Sequence, residues 1–115
     1  MIKALALAGF TAAFAWHSAP VPARLGVSAQ EFHLVLSRQS VKSGRVVIEL
    51  DNTGQDMHDL RLRRIGGKRT YVLPETKPGA RYVREVALLP GRYRLWCSVA
   101  DHAQLGMRAV LRVRR

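Results

Sequence analysis

The 115-residue sequence contains a single cysteine, Cys97. No internal disulfide can form, and there is no thiol pair for a structural zinc site or a dithiol redox centre. Acidic residues are also scarce: 8 Asp and Glu stand against 19 Lys and Arg, for a formal net charge of +11. Aromatics make up only 7% of the chain, and no RNA- or DNA-binding motif accompanies the basic charge, so a specific nucleic-acid reader is not expected. Long hydrophobic runs are missing. The longest, Ala4 to Trp16, covers thirteen residues, too few to span a bilayer comfortably. Beyond it no stretch has helical periodicity long enough for a helix, and there is no internal repeat or low-complexity segment.

What the N-terminus does have is a short basic start at Lys3, the apolar run, and then small residues and prolines. This is the layout of a cleavable secretory signal. Ala13-Phe14-Ala15 and Val21-Pro22-Ala23 both suit a signal peptidase, and the second leaves the apolar run a more usual length. The expected organisation is a signal peptide over 1–23 and one domain over 24–115, placed in the periplasm or secreted. A free thiol in an oxidising compartment is a liability, and ligation to a metal would account for this one.

The rest of the chain alternates with a period of two between turn signals. Gln30 to Ser37 reads as one strand, with Phe32, Leu34 and Leu36 inward and Glu31, His33 and Val35 outward, which leaves His33 a solvated surface residue. Arg38 to Ser43 reads as polar connection. Arg45 to Asp51 is a strand with Val46, Ile48 and Leu50 inward, broken by Asn52-Thr53-Gly54. His58 shares parity with Leu60 and Leu62, so a third strand carries an imidazole on its core face, where it needs a partner or a metal. Arg69 to Leu73 is a short strand stopped at Pro74. Arg81 to Leu89 is another, and Pro90-Gly91 turns into GRYRLWC, where Tyr93, Leu95 and Cys97 face the core. A last strand aligns Met107, Ala109, Leu111 and Val113. Six to eight short strands with Gly/Pro turns predict an all-β Greek-key β-sandwich.

One stretch stands out against this scaffold. In WCSVADHAQLGM, Cys97, His102 and Met107 follow one another at C-x4-H-x4-M between two strands. Taken singly, a buried Cys, a hydrogen-bonded His and a core Met are the ordinary readings. Together, with His58 from the third strand, they form the donor set of a type 1 copper site: two imidazoles and a thiolate in a plane, with a weak axial thioether.

At this point the sequence resembles the cupredoxins, the small blue copper proteins. NTGQDMHDL, Asn52 to Leu60, is similar to the family's Asn-x-Gly strand end and first ligand histidine. YRLWCSVADHAQLGM, Tyr93 to Met107, is similar to its C-terminal ligand loop, with spacing nearest that of rusticyanin, sulfocyanin and auracyanin. The resemblance implies one copper ion held by His58, Cys97, His102 and Met107, cycling between Cu(II) and Cu(I). It also implies that His102 lies at the surface, ringed by Val99, Ala103 and Leu105, and passes the electron. Two departures are plain: Ala100-Asp101 stands where many relatives have Pro-Gly, and Asp59 follows the first histidine where Asn or Ser is common. Asp59 is expected to brace the cysteine loop by accepting backbone N–H bonds.

Three functions compete on these grounds. The first is an exported, monomeric electron carrier whose basic surface meets a redox partner protein, such as an acidic c-type cytochrome or an oxidase, or an anionic membrane. The second is a copper delivery or sequestration protein on the same fold. The third is a metal-free basic sandwich that binds polyanions. Enzyme activity is not expected, because four protein donors leave no position for a substrate.

Overall fold

The computed structural model describes residues 2–13, 16 and 19–115. The Ala13-Phe14-Ala15 cleavage position therefore lies partly outside the described residues. Among them no helix is long and apolar enough to cross a membrane.

Nine strands are present among the described residues: β1 (Ala23–Gln30), β2 (His33–Leu36), β3 (Ser40–Lys42), β4 (Gly44–Asn52), β5 (His58–Arg64), β6 (Thr70–Thr76), β7 (Arg81–Leu88), β8 (Gly91–Trp96) and β9 (Arg108–Arg114). They form two sheets, one in the order β2-β1-β4-β7 and the other β3-β9-β8-β5-β6. The chain crosses repeatedly between them. β1 with β4 and β3 with β9 pair in parallel, and the other neighbours pair antiparallel. The fold is the expected all-β sandwich, with more strands than the sequence pattern resolved.

Alternation builds the core. Leu25, Val27 and Ala29 of β1, Val46, Ile48 and Leu50 of β4, Leu60 and Leu62 of β5, Tyr93 and Leu95 of β8, and Leu111 and Val113 of β9 are all buried between the sheets. Each such aliphatic side chain stabilises the fold by roughly 1.5–3 kcal/mol relative to leaving it in water. The parity read for β4, β5, β8 and β9 therefore holds.

Three local expectations are corrected. Gln30 to Ser37 is not one strand: the chain reverses at Glu31-Phe32, and β2 returns antiparallel to β1 with Gln30 paired to His33. Phe32 thus lies half-exposed at a hairpin tip instead of in the core, while His33 is on the surface as expected. The polar segment after it contains the short β3, which pairs with β9. The strand at Thr70 does not stop at Pro74 but runs to Thr76. It is an edge strand, where the missing N–H of a proline costs no ladder bond.

Candidate metal centre

Asn52 organises one side of the site. It is fully buried; its side-chain amide donates to the carbonyls of Asp56 and Thr76, both at 2.8 Å, and its Oδ1 accepts from the Gly54 N–H at 2.9 Å. The loop so formed turns the N–H groups of Gln55 and Asp56 toward the Glu31 carboxylate, at 3.0 and 2.7 Å. A Cβ at Gly54 would collide with that carboxylate, so close approach accounts for the glycine of the Asn-x-Gly segment. These donors, led by the Asp56 N–H, hold the Glu31 carboxyl down at about 2 against an ordinary 4.5.

Glu31 in turn holds His58. Its Oε1 lies 2.8 Å from His58 Nε2, and the His58 ring is completely buried. With Nε2 engaged by a carboxylate, Nδ1 is left with its lone pair facing inward, 3.8 Å from Cys97 Sγ. A carboxylate on the outer nitrogen fixes both the tautomer and the ring orientation of a metal-binding histidine. Sequence parity had put Glu31 on an outward strand face. The tight turn at Glu31-Phe32 is what brings it here, and nothing in the alternation marked it.

Cys97 sits at the end of β8, fully buried, and its N–H donates to the Met107 carbonyl at 3.1 Å. Burial pushes its thiol pKa up, and the neighbouring Asp59 charge acts in the same direction. The thiol of the metal-free protein is therefore protonated at neutral pH, and metal binding has to release that proton. Asp59 does brace the loop. Its Oδ1 accepts the Ser98 N–H at 2.6 Å and its Oδ2 accepts the Ser98 hydroxyl. The register of β5 against β6 shifts between His58 and Leu60, and both His58 and Asp59 are buried.

His102 comes from the loop between β8 and β9. Its Nδ1 is 3.7 Å from Cys97 Sγ and its Nε2 3.5 Å from Asp56 Oδ2. The resemblance implied an exposed ring, but His102 is only 6% exposed. The Phe32 ring covers it, tilted at a centroid distance of 5.2 Å. Met107 is fully buried; its N–H donates to the His102 carbonyl at 3.0 Å, and its own carbonyl takes the Cys97 N–H.

The structure thus brings His58, Cys97 and His102 together, with their donor atoms all within 4.8 Å of one another, and pins Met107 to both loop donors through its backbone. Metal–nitrogen and metal–sulfur bonds of roughly 2.0–2.3 Å at trigonal angles require donors about 3.6 Å apart. The two sulfur–nitrogen separations of 3.8 and 3.7 Å meet that requirement. Soft sulfur with two imidazoles is a donor chemistry suited to copper.

No family model and no curated protein matches the sequence. The likeness to known proteins is one of fold. Auracyanin B superposes with a TM-score of 0.66 over 85% of this chain and 94% of its own, at 17% identity. The dithionite-reduced auracyanin of the photosynthetic bacterium Roseiflexus castenholzii gives 0.62 over 85% of this chain and 100% of its own, at 14% identity. A purple cupredoxin from Nitrosopumilus maritimus gives 0.56 over 77% and 98%, at 15% identity. The chain has the cupredoxin fold, and its His58–Cys97–His102 group is consistent with a blue copper site.

Proposed function

We propose that this protein is an exported carrier of single electrons that binds one copper ion through His58, Cys97, His102 and Met107. The observation that supports it best is the convergence of two imidazole Nδ1 atoms on one buried thiol, with each outer nitrogen facing a carboxylate. Copper, when bound, supplies the one-electron chemistry of the Cu(II)/Cu(I) couple.

The chain's own part is to hold the donors still. Glu31 and the Asn52 loop lock His58, Asp59 locks the backbone after Cys97, and the Met107 backbone ties the two ends of the ligand loop together. Donors fixed by a β-scaffold do not rearrange between oxidation states, so little reorganisation opposes electron transfer. Phe32 and the core exclude water from the sulfur. Four protein donors leave no place for a substrate, which supports a carrier over an enzyme. Burial of His58, Cys97 and His102 supports slow metal exchange and so a carrier over a delivery protein. Export is supported by the N-terminal segment and by the single free thiol.

The test is an optical spectrum of the purified protein loaded with Cu(II). An intense visible thiolate-to-copper band that disappears on reduction and returns on oxidation is expected, and Cys97→Ser should remove the band while leaving a folded sandwich by circular dichroism. Loaded protein without the band would end the carrier reading.

A further inference from the structure

The charges of this protein are paired unevenly between its two sheets, the β3-β9-β8-β5-β6 sheet having one arginine–carboxylate contact among the described residues, Arg61 with Asp59 at 3.5 Å. On the β2-β1-β4-β7 sheet, arginines meet carboxylates: Arg45 with Glu85 at 2.8 Å, and Arg81 with Glu49 and Asp51 at 3.7 Å. The outer face of the other sheet is different. Its strand register sets Arg63 opposite Arg94, Arg92 opposite Arg112, and Lys42 opposite Arg114. Like charges directly opposite one another destabilise a sheet, and among the described residues none of these six has a carboxylate partner. Folding alone gives no reason for this arrangement.

The face is also hollowed. A groove of about 930 Å³ runs across β5, β8 and β9, between the turn after β5 and the ligand loop. Arg63, Arg64, Arg94 and Arg108 line it, with Trp96 and Val110 as apolar surface. Arg63 and Arg64 are steadied there by bonds to Thr70 Oγ1 at 2.9 Å and to the Pro90 carbonyl at 3.0 Å. Arginine and tryptophan are the residues that most often carry binding energy at protein interfaces. The groove also abuts the metal centre: Trp96 is the chain neighbour of Cys97, and Ala103, at the groove's end, is the neighbour of His102.

We propose that this groove is the docking site for an acidic segment of the protein with which the chain exchanges electrons, a reading that rests on the carrier function proposed above. A protruding acidic segment fills a concave, arginine-rimmed trough and neutralises the opposed Arg63 and Arg94 together with Arg64 and Arg108, which line it. A flat bilayer surface cannot enter the trough. The apolar surface supplies burial, while the arginines supply steering and orientation.

The experiment is an amide NMR titration with an oligoglutamate peptide at low salt, on the metal-free and the Cu(I)-loaded protein. Shift changes are expected at Arg63, Arg94, Trp96 and Val110. The double reversal Arg63→Glu/Arg94→Glu should weaken binding by about tenfold or more. Arg24→Glu/Arg38→Glu, which changes net charge equally on other parts of the surface, should leave it within about twofold. Thermal unfolding of both variants checks that they fold. Equal losses from both reversals, or shifts spread over the whole surface, would reduce the effect to net charge and overturn the proposal. So would tighter engagement of the groove by vesicles of phosphatidylglycerol and phosphatidylcholine, or by a DNA duplex, than by the peptide. Because the metal-free arm does not depend on copper, a failed titration leaves the copper reading standing, and a missing optical band leaves the groove standing.

Discussion

The Glu31 carboxylate lies 2.8 Å from the outer nitrogen of His58, so the tip of the first hairpin, distant in sequence, grips a donor of the metal centre from behind. The same tip lays Phe32 over His102. Two adjacent residues in one turn therefore attend to both imidazoles.

This contact predicts a pH signature in the metal-free protein. The folded Glu31 carboxyl titrates at about 2, below its ordinary 4.5. A depressed carboxyl stabilises the fold fully above its unfolded value, and that stabilisation drains away as pH falls through the interval. Glu31→Gln should therefore be less stable than the parent protein at neutral pH, with the difference shrinking below about 4.5 and nearly gone near 2. Urea midpoints of both proteins across that range check it. A difference independent of pH would show that packing, not charge, makes the contact matter.

Met107→Leu should retain copper and colour but raise the reduction potential. A thioether donates weakly to the metal and favours Cu(II), and an alkyl side chain donates nothing. Leucine is close to methionine in volume, so the core at this fully buried position should tolerate it. Voltammetry of the two proteins decides; an unchanged or lowered potential would remove Met107 from the donor set.

Asp59→Ala should destabilise the fold by about 1–3 kcal/mol, because a part-buried Ser98 N–H and hydroxyl both lose their acceptor. It should also broaden the copper band by loosening Cys97. Chemical denaturation and the optical spectrum read the two effects separately. A neutral result would mean that water replaces the carboxylate without loss.

Ala100→Gly should stabilise the protein. Ala100 is the one non-glycine with positive φ among the described residues, at 44°, and it occupies part of the position where relatives commonly have Pro-Gly. An L-residue there pays a steric cost that glycine avoids, and glycine's greater loss of chain entropy offsets part of the gain. A net increase of about 0.5–1 kcal/mol is expected, read as a higher denaturant midpoint.

Local signals account for what the sequence made legible. The 2-residue period of β4, β5, β8 and β9 survives because each of those strands has one face on the core, and the same parity carries His58 and Cys97 inward. The spacing of Cys97, His102 and Met107 is confined to one loop, so it can be read without knowing the fold. The missing parts are those that depend on partners far away in sequence. Glu31-Phe32 turns the chain with none of the Gly, Asn or Pro residues that usually mark a hairpin, so β1 and β2 merged into their surroundings and Glu31 looked like a surface charge. β3 has three residues, too few to show alternation. β6 runs past Pro74 because it lies at an edge, a property of the assembled sheet. His102 is covered in part by Phe32, and that part of its burial was hidden with the same turn.

The place of β9 has a consequence for how the protein is made. It lies inside its sheet, between β3 and β8, although it is the last strand in chain order. β3 has to wait for it, and the loop that holds His102 and Met107 cannot close without it. The second sheet is therefore complete only once β9 has joined β8 and β3, and closure of so distant a parallel pair is slow. The side of the site that holds His102 and Met107 is thus among the last parts of the fold to form.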